Sequence, residues 1–425
     1  MQQEEQIESA AGQEREESLP VLAPRDALER LRTEGKLSRV CVTGLNLQGE
    51  FPKGLKFDHV RLVRLAVNRA VFKEFVDFHA CRFVRPQFRE STFEKGVKFN
   101  GSTFRASVFN HMTFRMNAKF DNATFEGACQ FVDTAFHGAR FWEARLEGWL
   151  DFQRCRFGET ADLRSIHAEQ GLVFTACHFE GDALFRGLSA AKKVDLTTSR
   201  CDALVDFSKA KLNDFVYLES IEVGPNLQFA FANAIAERLL VSSKLLAGRM
   251  KSETDKQHDV AASEFGLLKR NFESLHRYDD EDWAFYRFKI NQRKGRPTSW
   301  SRPWTKLLRL CDKVLLDWGC GYGTNPLRAV FSALVIIGLF GLLYAAEAKH
   351  FDITAPPFHW LPAEHWVNRM SLGFMTSVSV FTAGFSGDHL RSAHGWVLFP
   401  LACEALLGTL LWGLFIVAFS RRVIR

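Results

Sequence analysis

Phenylalanine recurs at a nearly fixed spacing through the first half of the chain. The steps are five residues, with occasional sixes, and farther on apolar residues recur every eleven. Five residues on an α-helix turn through about 500°, which would place successive phenylalanines on different sides. The spacing instead predicts a solenoid in which each side of a coil supplies one inward apolar residue. The inward residues are Phe78, Phe83, Phe88, Phe93, Phe99, Phe104, Phe109, Phe114, Phe120, Phe125, Phe131, Phe136 and Phe141, then Phe152, Leu163, Phe174, Phe185, Leu196, Phe207, Leu218, Phe229 and Leu240.

The residue two positions before each inward residue is often small. A tight coil leaves little room beside a large central side chain, so the pattern supports the solenoid. Several of the nine cysteines occupy these positions, and none forms a CxxC pair, which argues against a disulfide framework or a metal site. The small residues are Cys81, Ser91, Ser102, Ser107, Ala118, Ala123, Cys129, Ala139, Ala144, Cys155, Cys177 and Ala183.

This unit of a small residue, a polar residue and then Leu or Phe resembles the pentapeptide-repeat family. The resemblance covers about residues 72–240. It implies a right-handed, quadrilateral β-helix with four units to a coil and roughly eight coils. Some members of that family mimic DNA, a role that needs a strongly acidic surface. Basic and acidic residues are mixed throughout this repeat, as in "RFVRPQFRESTFEKGVKF", so we predict no nucleic-acid role.

Two later segments are apolar enough to cross a membrane. Ala329–Ala346 carries no charge, and Trp396–Ser420 carries only Glu404. Each is long enough to cross a hydrocarbon layer of about 30 Å as a helix. Basic residues flank the outer ends of the pair, which places both termini in the cytoplasm. These residues are Lys306, Arg309, Lys313 and Arg328 before the first span, and Arg421, Arg422 and Arg425 after the second.

Helical spacing returns between the repeat and the first span. Residues 264–293 contain two apolar stripes separated by the polar break "RYDDED", which predicts a helical hairpin packed on the end of the solenoid. The following segment has an apolar face with tryptophan at both ends. This pattern is typical of an amphipathic helix in the membrane interface. The apolar face comprises Trp304, Leu307, Leu308, Cys311, Val314, Leu315 and Trp318.

The stretch "VLLDWGCGYG" at residues 314–323 has the look of the glycine-rich loop of methyltransferases. Such a loop needs a strand before it and further strands after it. Here helical periodicity precedes the motif and a membrane span follows. We therefore predict that the glycines end the interfacial helix, and that Pro326 lies in the first turn of the span.

A short apolar segment, Met370–Phe381, lies between the spans and leads into a glycine-containing loop. The order of span, short helix, glycine loop and span resembles the two-helix pore domain of the potassium-channel family. The loop of that family reads Thr-Val-Gly-Tyr-Gly followed by Asp. The resemblance implies a re-entrant helix, a homotetramer and a selectivity filter whose backbone carbonyls bind a cation such as potassium. Thr382, Ala383, Gly384 and Phe385 match the first four positions in kind, and Asp388 matches the acid. The predicted filter is therefore Thr382, Ala383, Gly384, Phe385, Ser386, Gly387 and Asp388.

The loop departs from the family at two places. Phe385 replaces Tyr, and Ser386 interrupts the expected Gly, so that Gly387 makes the loop one residue longer before Asp388. A weakly selective cation pore and a closed relic are therefore alternatives to potassium selectivity. We predict that Thr376 and Glu404 support the pore loop, because a charge within a span must be paired or hydrated.

The sequence thus predicts a mixed fold with six parts. Its most strongly indicated function is a membrane ion channel of the bacterial inner (plasma) membrane, with a cytoplasmic solenoid that senses or binds a protein partner. The alternative is a non-conducting, membrane-anchored scaffold. We expect no enzymatic activity, cofactor or metal. The parts are a disordered acidic tail (1–24), an N-terminal cap (25–71), the pentapeptide-repeat solenoid (72–242), the helical hairpin (260–299), the interfacial helix (300–323) and the two-span channel-like domain (324–425).

Overall fold

A computed structural model describes residues 19–296, 303–351, 358, 360, 362, 365–383 and 393–423. The chain divides into two compact units, at the boundary between Ala284 and Phe285. The first unit is a β-solenoid with helices at its two ends, and the second is helical.

Short parallel strands form the solenoid, and each strand pairs with the equivalent strand about 21 residues farther on. Val76, Val97 and Ala118, for example, are successive partners in one ladder. Inward and outward side chains alternate along the strands because successive residues of a strand point to opposite faces. The sequence pattern of single apolar residues between polar ones therefore lines the interior of every coil.

The strands belong to four ladders. Ladder A has eleven strands: Val21–Leu22, Cys41–Thr43, Arg61–Val63, Arg82–Val84, Thr103–Arg105, Thr124–Glu126, Arg145–Leu146, His167–Ala168, Ser189–Ala190, Lys211–Leu212 and Ile235–Ala236. Ladder B has ten: Lys36–Ser38, Leu55–Asp58, Val76–His79, Val97–Lys98, Ala118–Lys119, Ala139–Arg140, Ala161–Asp162, Ala183–Leu184, Leu204–Asp206 and Gln228–Ala230.

The two other ladders share their first strands, because Ala66–Phe72 is long enough to pair with both. Ladder C contains Asn46–Phe51, Ala66–Phe72, Gln87–Arg89, Val108–Asn110, Cys129–Val132, Leu150–Gln153, Leu172–Thr175, Val194–Asp195, Val216–Tyr217 and Leu239–Leu240. Ladder D continues from the shared strands with Thr92–Phe93, Thr113–Phe114, Ala135–Phe136, Arg156–Phe157, His178–Phe179, Arg200–Cys201 and Glu222–Val223.

The phenylalanines predicted to point inward form stacks along the solenoid. The ring centroids of Phe78 and Phe99 are 4.9 Å apart, those of Phe99 and Phe120 are 4.8 Å apart, and those of Phe120 and Phe141 are 4.7 Å apart. The planes of the first pair differ by only 2°. Offset stacking of this kind adds to the free energy gained by burying the rings. The solenoid core predicted from the five-residue spacing is thus confirmed.

The small residues beside the phenylalanines pack and also join neighbouring coils. The hydroxyl of Ser102 accepts a hydrogen bond from the Cys81 amide at 3.0 Å and donates one to the Phe78 carbonyl at 3.0 Å. Burial raises the pKa of the Cys81 and Cys201 thiols to about 12. These cysteines are therefore neutral packing residues.

The solenoid begins earlier than predicted and has about ten turns, more than the eight predicted. The segment predicted as an N-terminal cap, residues 25–71, contains the first coils, and helix α1 (Pro24–Thr33) precedes them. The difference has a simple reason. Several inward residues of these coils are aliphatic, such as the buried Leu37, Val42 and Leu47, so a spacing measured on phenylalanine misses them. The predicted tail also ends earlier, because Val21–Leu22 is already a strand; residues 1–18 lie outside the described residues.

Helices follow the last coil, and polar side chains of helix α4 (His258–Ser274) bind its exposed edge. The Asn271 side chain accepts a hydrogen bond from the Leu239 amide at 2.7 Å and donates one to the Leu239 carbonyl at 2.8 Å. Glu264 accepts from the Phe231 amide at 2.7 Å. These side chains substitute for the strand that a further coil would supply. The predicted packing of the hairpin on the solenoid end is confirmed for α4.

The remaining helices are as follows. Short helices α2 (Ser243–Leu246) and α3 (Lys251–Thr254) precede α4, and α5 (Tyr278–Gly295) completes the predicted hairpin. The second unit continues with α6 (Pro303–Cys311), a π-helix (Asp312–Trp318), a 3₁₀ turn (Gly321–Gly323), α7 (Pro326–Ala346), a 3₁₀ turn (Ala348–His350), α8 (Trp366–Ala383), a 3₁₀ turn (Gly395–Val397) and α9 (Leu398–Val423).

Two helices of the second unit are long and apolar enough to cross a membrane, by length and composition alone: α7, and the segment of 26 residues that ends at Ser420 and includes most of α9. The predicted re-entrant segment Met370–Phe381 is part of a longer helix, because α8 also includes the residues from Trp366 onward.

Candidate functional site

Helix α8 packs against both apolar helices, α7 and α9. Glycines allow this close approach. A Cβ atom added to Gly373 would lie 2.3 Å from the Gly341 carbonyl oxygen, and one added to Gly408 would lie 2.4 Å from the Phe381 carbonyl oxygen. Small residues at such crossings bring helix backbones together, as in membrane helix bundles. The three helices therefore form one packed bundle.

A carboxyl group lies at the centre of this bundle. The Glu404 side chain on α9 is fully buried. The Tyr344 hydroxyl on α7 donates a hydrogen bond to it at 2.7 Å. The Ser377 hydroxyl on α8 is shared between the other carboxyl oxygen and the Ile337 carbonyl, the latter at 3.1 Å. Each of the three helices thus contributes one member of this polar cluster.

The polar cluster has a clear structural effect. A buried polar group without a partner destabilises a fold by about 1–3 kcal/mol, and an unpaired charge by more. The hydroxyls of Tyr344 and Ser377 satisfy Glu404 and fix the register of α7 and α8 against α9. Glu404 was predicted as a support for the pore loop, and its position between α8 and α9 is compatible with that role, which stays a prediction.

The predicted selectivity filter lies mostly outside the described residues. Gly384, Phe385, Ser386, Gly387 and Asp388 fall between the end of α8 and Ala393 and are not described. The first two filter residues belong to the last turn of α8. The Thr382 hydroxyl donates to the Val378 carbonyl at 2.7 Å, and Ala383 is the final helical residue. The predicted loop thus follows directly from a helix that packs on both apolar helices.

Thr376, the other predicted support, is buried on α8. It is the next residue, Ser377, whose hydroxyl contacts Glu404. Thr382 also lines an apolar cavity of about 240 Å³, together with Phe381 on α8, Ala333 on α7 and Leu411 on α9. The walls of this cavity suit an apolar group such as an acyl chain or a side chain of another helix.

A second polar cluster joins α5 to the start of α7. The Arg293 guanidinium donates to Asp317 at 2.6 Å, and the Tyr286 hydroxyl donates to the other oxygen of the same carboxylate at 2.7 Å. Arg293 also donates to the Tyr322 hydroxyl at 2.9 Å, and Arg328 donates to the Tyr286 hydroxyl at 3.2 Å. Both members of the Arg293–Asp317 pair are buried. Such a pair holds its elements together because removing one partner leaves an unpaired charge.

This cluster explains the motif "DWGCGYG". Asp317 and Tyr322 supply its polar groups, and the backbone turns sharply between them. Gly321, Tyr322 and Gly323 have φ values of +57°, +54° and +80°. The left-handed region is costly for Tyr322, whereas glycine adopts it freely. Burial is the main cause that raises the pKa of the Tyr322 phenol. As predicted, a helix and not a strand leads into the motif: the π-helix comes before the 3₁₀ turn.

The predicted amphipathic helix is split into α6 and the π-helix, and residues 300–302 lie outside the described residues. Its apolar face is not packed on the described chain. Trp304, Leu308 and Trp318 are 73%, 66% and 63% exposed. Large exposed apolar side chains in one stripe mark an interaction surface, and a membrane interface suits tryptophan at both ends.

Sequence reasoning missed several residues of these clusters. Tyr344 carries a hydroxyl near the end of the apolar helix α7, a signal that a search for polar groups in such segments would have found. Ser377 is one of several hydroxyl residues on α8, so the sequence does not single it out. Gly341 and Gly373 are small residues at a crossing, a signal typical of membrane helix packing. The partnership of Arg293 with Asp317 left no signal, because the two residues lie on different helices.

One family model matches this chain. The model, described as pentapeptide repeats (9 copies), matches residues 109–156, which lie within the solenoid. A search of curated proteins finds no match. The strands of the matched residues pair in parallel with the strands of the coils on either side. The chain therefore carries a pentapeptide-repeat β-solenoid, joined in sequence to a helical unit with two apolar helices.

Proposed function

We propose that this chain is a two-span membrane protein whose helical unit forms an oligomeric cation pore. The arrangement of α7, α8 and α9 around Glu404 carries the proposal. The exteriors of α7 and α9 are largely apolar and exposed, as at Phe331 and Phe399, whereas their shared interior holds the polar cluster. That distribution suits a lipid environment, in which helices associate through close packing and buried hydrogen bonds.

The position of α8 supports a pore in particular. This helix lies between two candidate spans in the chain, packs on both, and ends at Thr382–Ala383, where the predicted filter begins. Backbone that is not hydrogen-bonded within a helix or sheet is tolerated at membrane depth only where it is buried in protein or lines water. A glycine-containing loop at the end of such a helix has the composition to coordinate an ion through its carbonyls.

The finer parts of the proposal follow from the resemblances and from the basic residues that flank the two apolar segments. Four copies of the chain surround the pore, both termini and the solenoid lie in the cytoplasm of a bacterial cell, and the solenoid is right-handed and four-sided. The solenoid senses or binds a protein partner. The permeating ion is a cation such as potassium, with selectivity weakened by Phe385 and Ser386. No enzymatic step is proposed.

The test is a cation-flux assay on the purified chain in liposomes. Gly384→Val should abolish the flux, because a branched side chain prevents the backbone conformation that a filter glycine adopts. Gly338→Val on α7 is the matched control, since no atom lies within 4 Å of a Cβ added there. Native mass measured in mild detergent should show four subunits. A stable monomer, or an undiminished flux in Gly384→Val, would reject the pore.

A non-conducting scaffold is the second candidate. Two observations favour it. Both carboxyl oxygens of Glu404 have hydrogen-bond partners within the bundle, the hydroxyls of Tyr344 and Ser377, as expected of a purely structural contact. The outer surface of the solenoid carries rows of oppositely charged pairs, such as Arg69–Glu90 at 2.8 Å and Arg154–Asp133 at 2.7 Å, which make a rigid, mixed-charge surface for protein contacts. A monomer that gives no flux but captures a partner through these coils would establish this function.

A further inference from the structure

A groove lies at the C-terminal end of the solenoid, beside helix α4. Residues 234–238 of the last coil form one side, and Leu267, Arg270 and Ser274 of α4 form the other. The three helical residues have the spacing i, i+3 and i+7, so they share one face of α4. The cavity has a volume of about 620 Å³. We call this surface the terminal groove.

The terminal groove exists because α4 crosses the end of the solenoid without covering ladder A. Glu264 binds the Phe231 amide, which comes before the last strand of this ladder. Asn271 binds the Leu239 amide, which comes after that strand. The strand itself, Ile235–Ala236, has no further strand beside it among the described residues. Its outer edge therefore faces the terminal groove.

The open edge presents backbone acceptors. In ladder A the amides of one coil donate to carbonyls of the preceding coil, as the Ile235 amide does to the Ala210 carbonyl at 2.8 Å. Ala234 occupies the position equivalent to Ala210, and Ala236 presents the next carbonyl on the same edge. No described residue donates a hydrogen bond to either of these two carbonyls. An unpaired strand edge of this kind is a template for a further strand.

The side chain at this edge also differs from those of the earlier coils. Ile235 is 58% exposed, whereas the residues at its position in the preceding coils are polar, namely Lys211, Ser189 and His167. Apolar side chains on neighbouring strands stabilise a sheet when they lie side by side. An added strand with an apolar residue beside Ile235 would therefore gain a favourable contact.

Cations flank the open edge. The lining contains two arginines, Arg238 and Arg270, and one carboxylate, Glu237. Arg270 is exposed and has no ion-pair partner among the described residues. The Oδ1 atom of Asp214 lies 3.9 Å from Nη1 of Arg238, which is too far for a hydrogen bond. Guanidinium groups bind carboxylates in charge-assisted hydrogen bonds, so the terminal groove favours an acidic ligand.

We propose that an extended acidic segment of a partner protein binds the terminal groove and adds a strand to ladder A. Its backbone amides donate to the carbonyls of Ala234 and Ala236, an apolar side chain packs on Ile235, and a carboxylate binds Arg270. Main-chain hydrogen bonds supply the affinity in this mode of recognition, and side chains supply the specificity. The inference identifies a site for the partner of the solenoid, so it rests on the proposed partner binding and not on the pore.

The probe is a fluorescent heptapeptide, Glu-Asp-Val-Thr-Val-Asp-Glu, and the protein is the full chain purified in detergent. The peptide combines β-branched residues, which favour an extended conformation, with carboxylates at both ends. Fluorescence anisotropy should show saturable binding that weakens as salt is added, because salt screens contacts between carboxylates and guanidinium groups. No saturable binding at millimolar peptide, or binding that salt does not affect, would overturn the proposal.

Methylation of the peptide backbone tests the strand edge without altering the protein. One peptide carries N-methyl groups on both valines, and a second carries them on the threonine and the aspartate that follows the second valine. Amides two residues apart lie on the same edge of a strand, so the two peptides block opposite edges. The peptide blocked on the edge that faces Ala234 and Ala236 should bind about tenfold more weakly than the other. Equal affinities would show that peptide amides do not pair with the groove and would reject the proposal.

A substitution locates the site on the protein. Ile235→Glu places a negative charge at the strand edge and should weaken binding of the unmethylated peptide about tenfold, because like charges on neighbouring strands repel. The matched control is Val223→Glu, at an exposed position on the last strand of ladder D, which should leave binding unchanged. Equal losses in both variants would reduce the effect to net charge and reject the terminal groove.

Two further measurements identify the occupant. Native mass of Ile235→Glu should give the subunit count of the parent chain, and a lower count would identify a second copy as the occupant and overturn binding of a partner segment. The partner-binding role is tested apart from this site. A partner protein that cross-links to the solenoid with equal yield in the parent chain and in Ile235→Glu would support that role and reject the terminal groove.

Discussion

The two units of this chain distribute apolar and polar side chains in opposite ways. In the solenoid, Phe120 and its stacked neighbours are fully buried and most charged side chains lie outside. In the helical unit, Phe331 and Phe399 are 69% and 77% exposed, while Glu404 is fully buried. Water around the solenoid stabilises it through the hydrophobic effect. The exposed apolar side chains of the helical unit favour contact with lipid. In such surroundings a fold depends on close packing and on hydrogen bonds.

The two units also differ in how often each stabilising contact is repeated. Every coil of the solenoid repeats the same contacts with its neighbours, so its stability is a sum of similar increments. The helical unit has single contacts that occur once, such as Arg293–Asp317 and the Glu404 cluster. We therefore expect buried phenylalanines to dominate the stability of one unit and a few polar or glycine contacts to dominate the other.

The largest expected effect is at a buried ring. Phe120→Ala should lower the free energy of unfolding of the solenoid by about 3–5 kcal/mol, because it removes a ring stacked between Phe99 and Phe141. Phe399→Ala, at an exposed position on α9, should change the free energy of unfolding of the helical unit by less than about 0.5 kcal/mol. Urea unfolding of the full chain in detergent, followed by circular dichroism, measures both. Comparable losses would mean that the two units do not differ in the way described.

The next effect is at the buried ion pair of the helical unit. Asp317→Ala should destabilise that unit by about 3 kcal/mol, because Arg293 is left buried without its carboxylate. The control comes from the solenoid: Glu90→Ala, which removes the exposed pair with Arg69, should leave the thermal midpoint nearly unchanged, because solvent screens this pair. Thermal unfolding of both variants decides the matter, and a costlier Glu90→Ala would reverse the expected order.

A smaller loss is expected at a helix crossing. Gly373→Leu should destabilise the helical unit by about 1–3 kcal/mol, because its Cβ alone would meet the Gly341 carbonyl oxygen at 2.3 Å. Gly338→Leu faces open space and serves as the control. Resistance of the purified variants to heat-induced aggregation in detergent provides the measurement. If both variants behave like the parent chain, α7 and α8 do not pack at this crossing.

The smallest effect is a pH dependence in the solenoid cap. Burial is the main cause that raises the pKa of Glu264, and hydrogen bonds from Ser252 and Phe231 oppose it. A carboxyl with a raised pKa stabilises the fold at low pH, and this contribution is lost as the pH rises through the folded-state pKa. Glu264→Gln should therefore raise the thermal midpoint at neutral pH and flatten its dependence on pH.

The control for this prediction is Glu237→Gln, at an exposed position near the same end of the solenoid. It should leave the pH profile of the thermal midpoint unchanged between pH 4 and pH 8. An identical slope in the parent chain and Glu264→Gln would show that Glu264 titrates normally in the fold.

The solenoid could be predicted from the sequence because its contacts are local and periodic. Phe78, Phe99, Phe120 and Phe141 stack, and the one-dimensional spacing between them encodes the contact directly. The first coils were missed because aliphatic residues such as Leu37 replace phenylalanine there. The five-residue spacing of inward apolar residues continues in these coils, but many of the residues are aliphatic and not phenylalanine.

The candidate site in the helical unit could be predicted only in part. Glu404 is conspicuous as a charge in an apolar segment, and the physical cost of that charge predicted that partners exist. The identity of the partners, Tyr344 and Ser377, depends on how α7 and α8 are rotated against α9. That rotation is set by side-chain packing at places such as Gly341 and Gly373, and hydrophobic pattern alone does not specify it.

The side chains of α4 that bind the last coil allow the length of the solenoid to change during evolution. Asn271 and Glu264 of α4 bind the backbone of the last coil and so end the solenoid. The residues that end it therefore lie outside the repeat sequence. Duplication or loss of one coil in the middle would leave both termini chemically intact. Each such event would change the length of the solenoid by roughly 4.8 Å, one strand spacing. The number of coils can therefore change while the two ends of the solenoid stay the same.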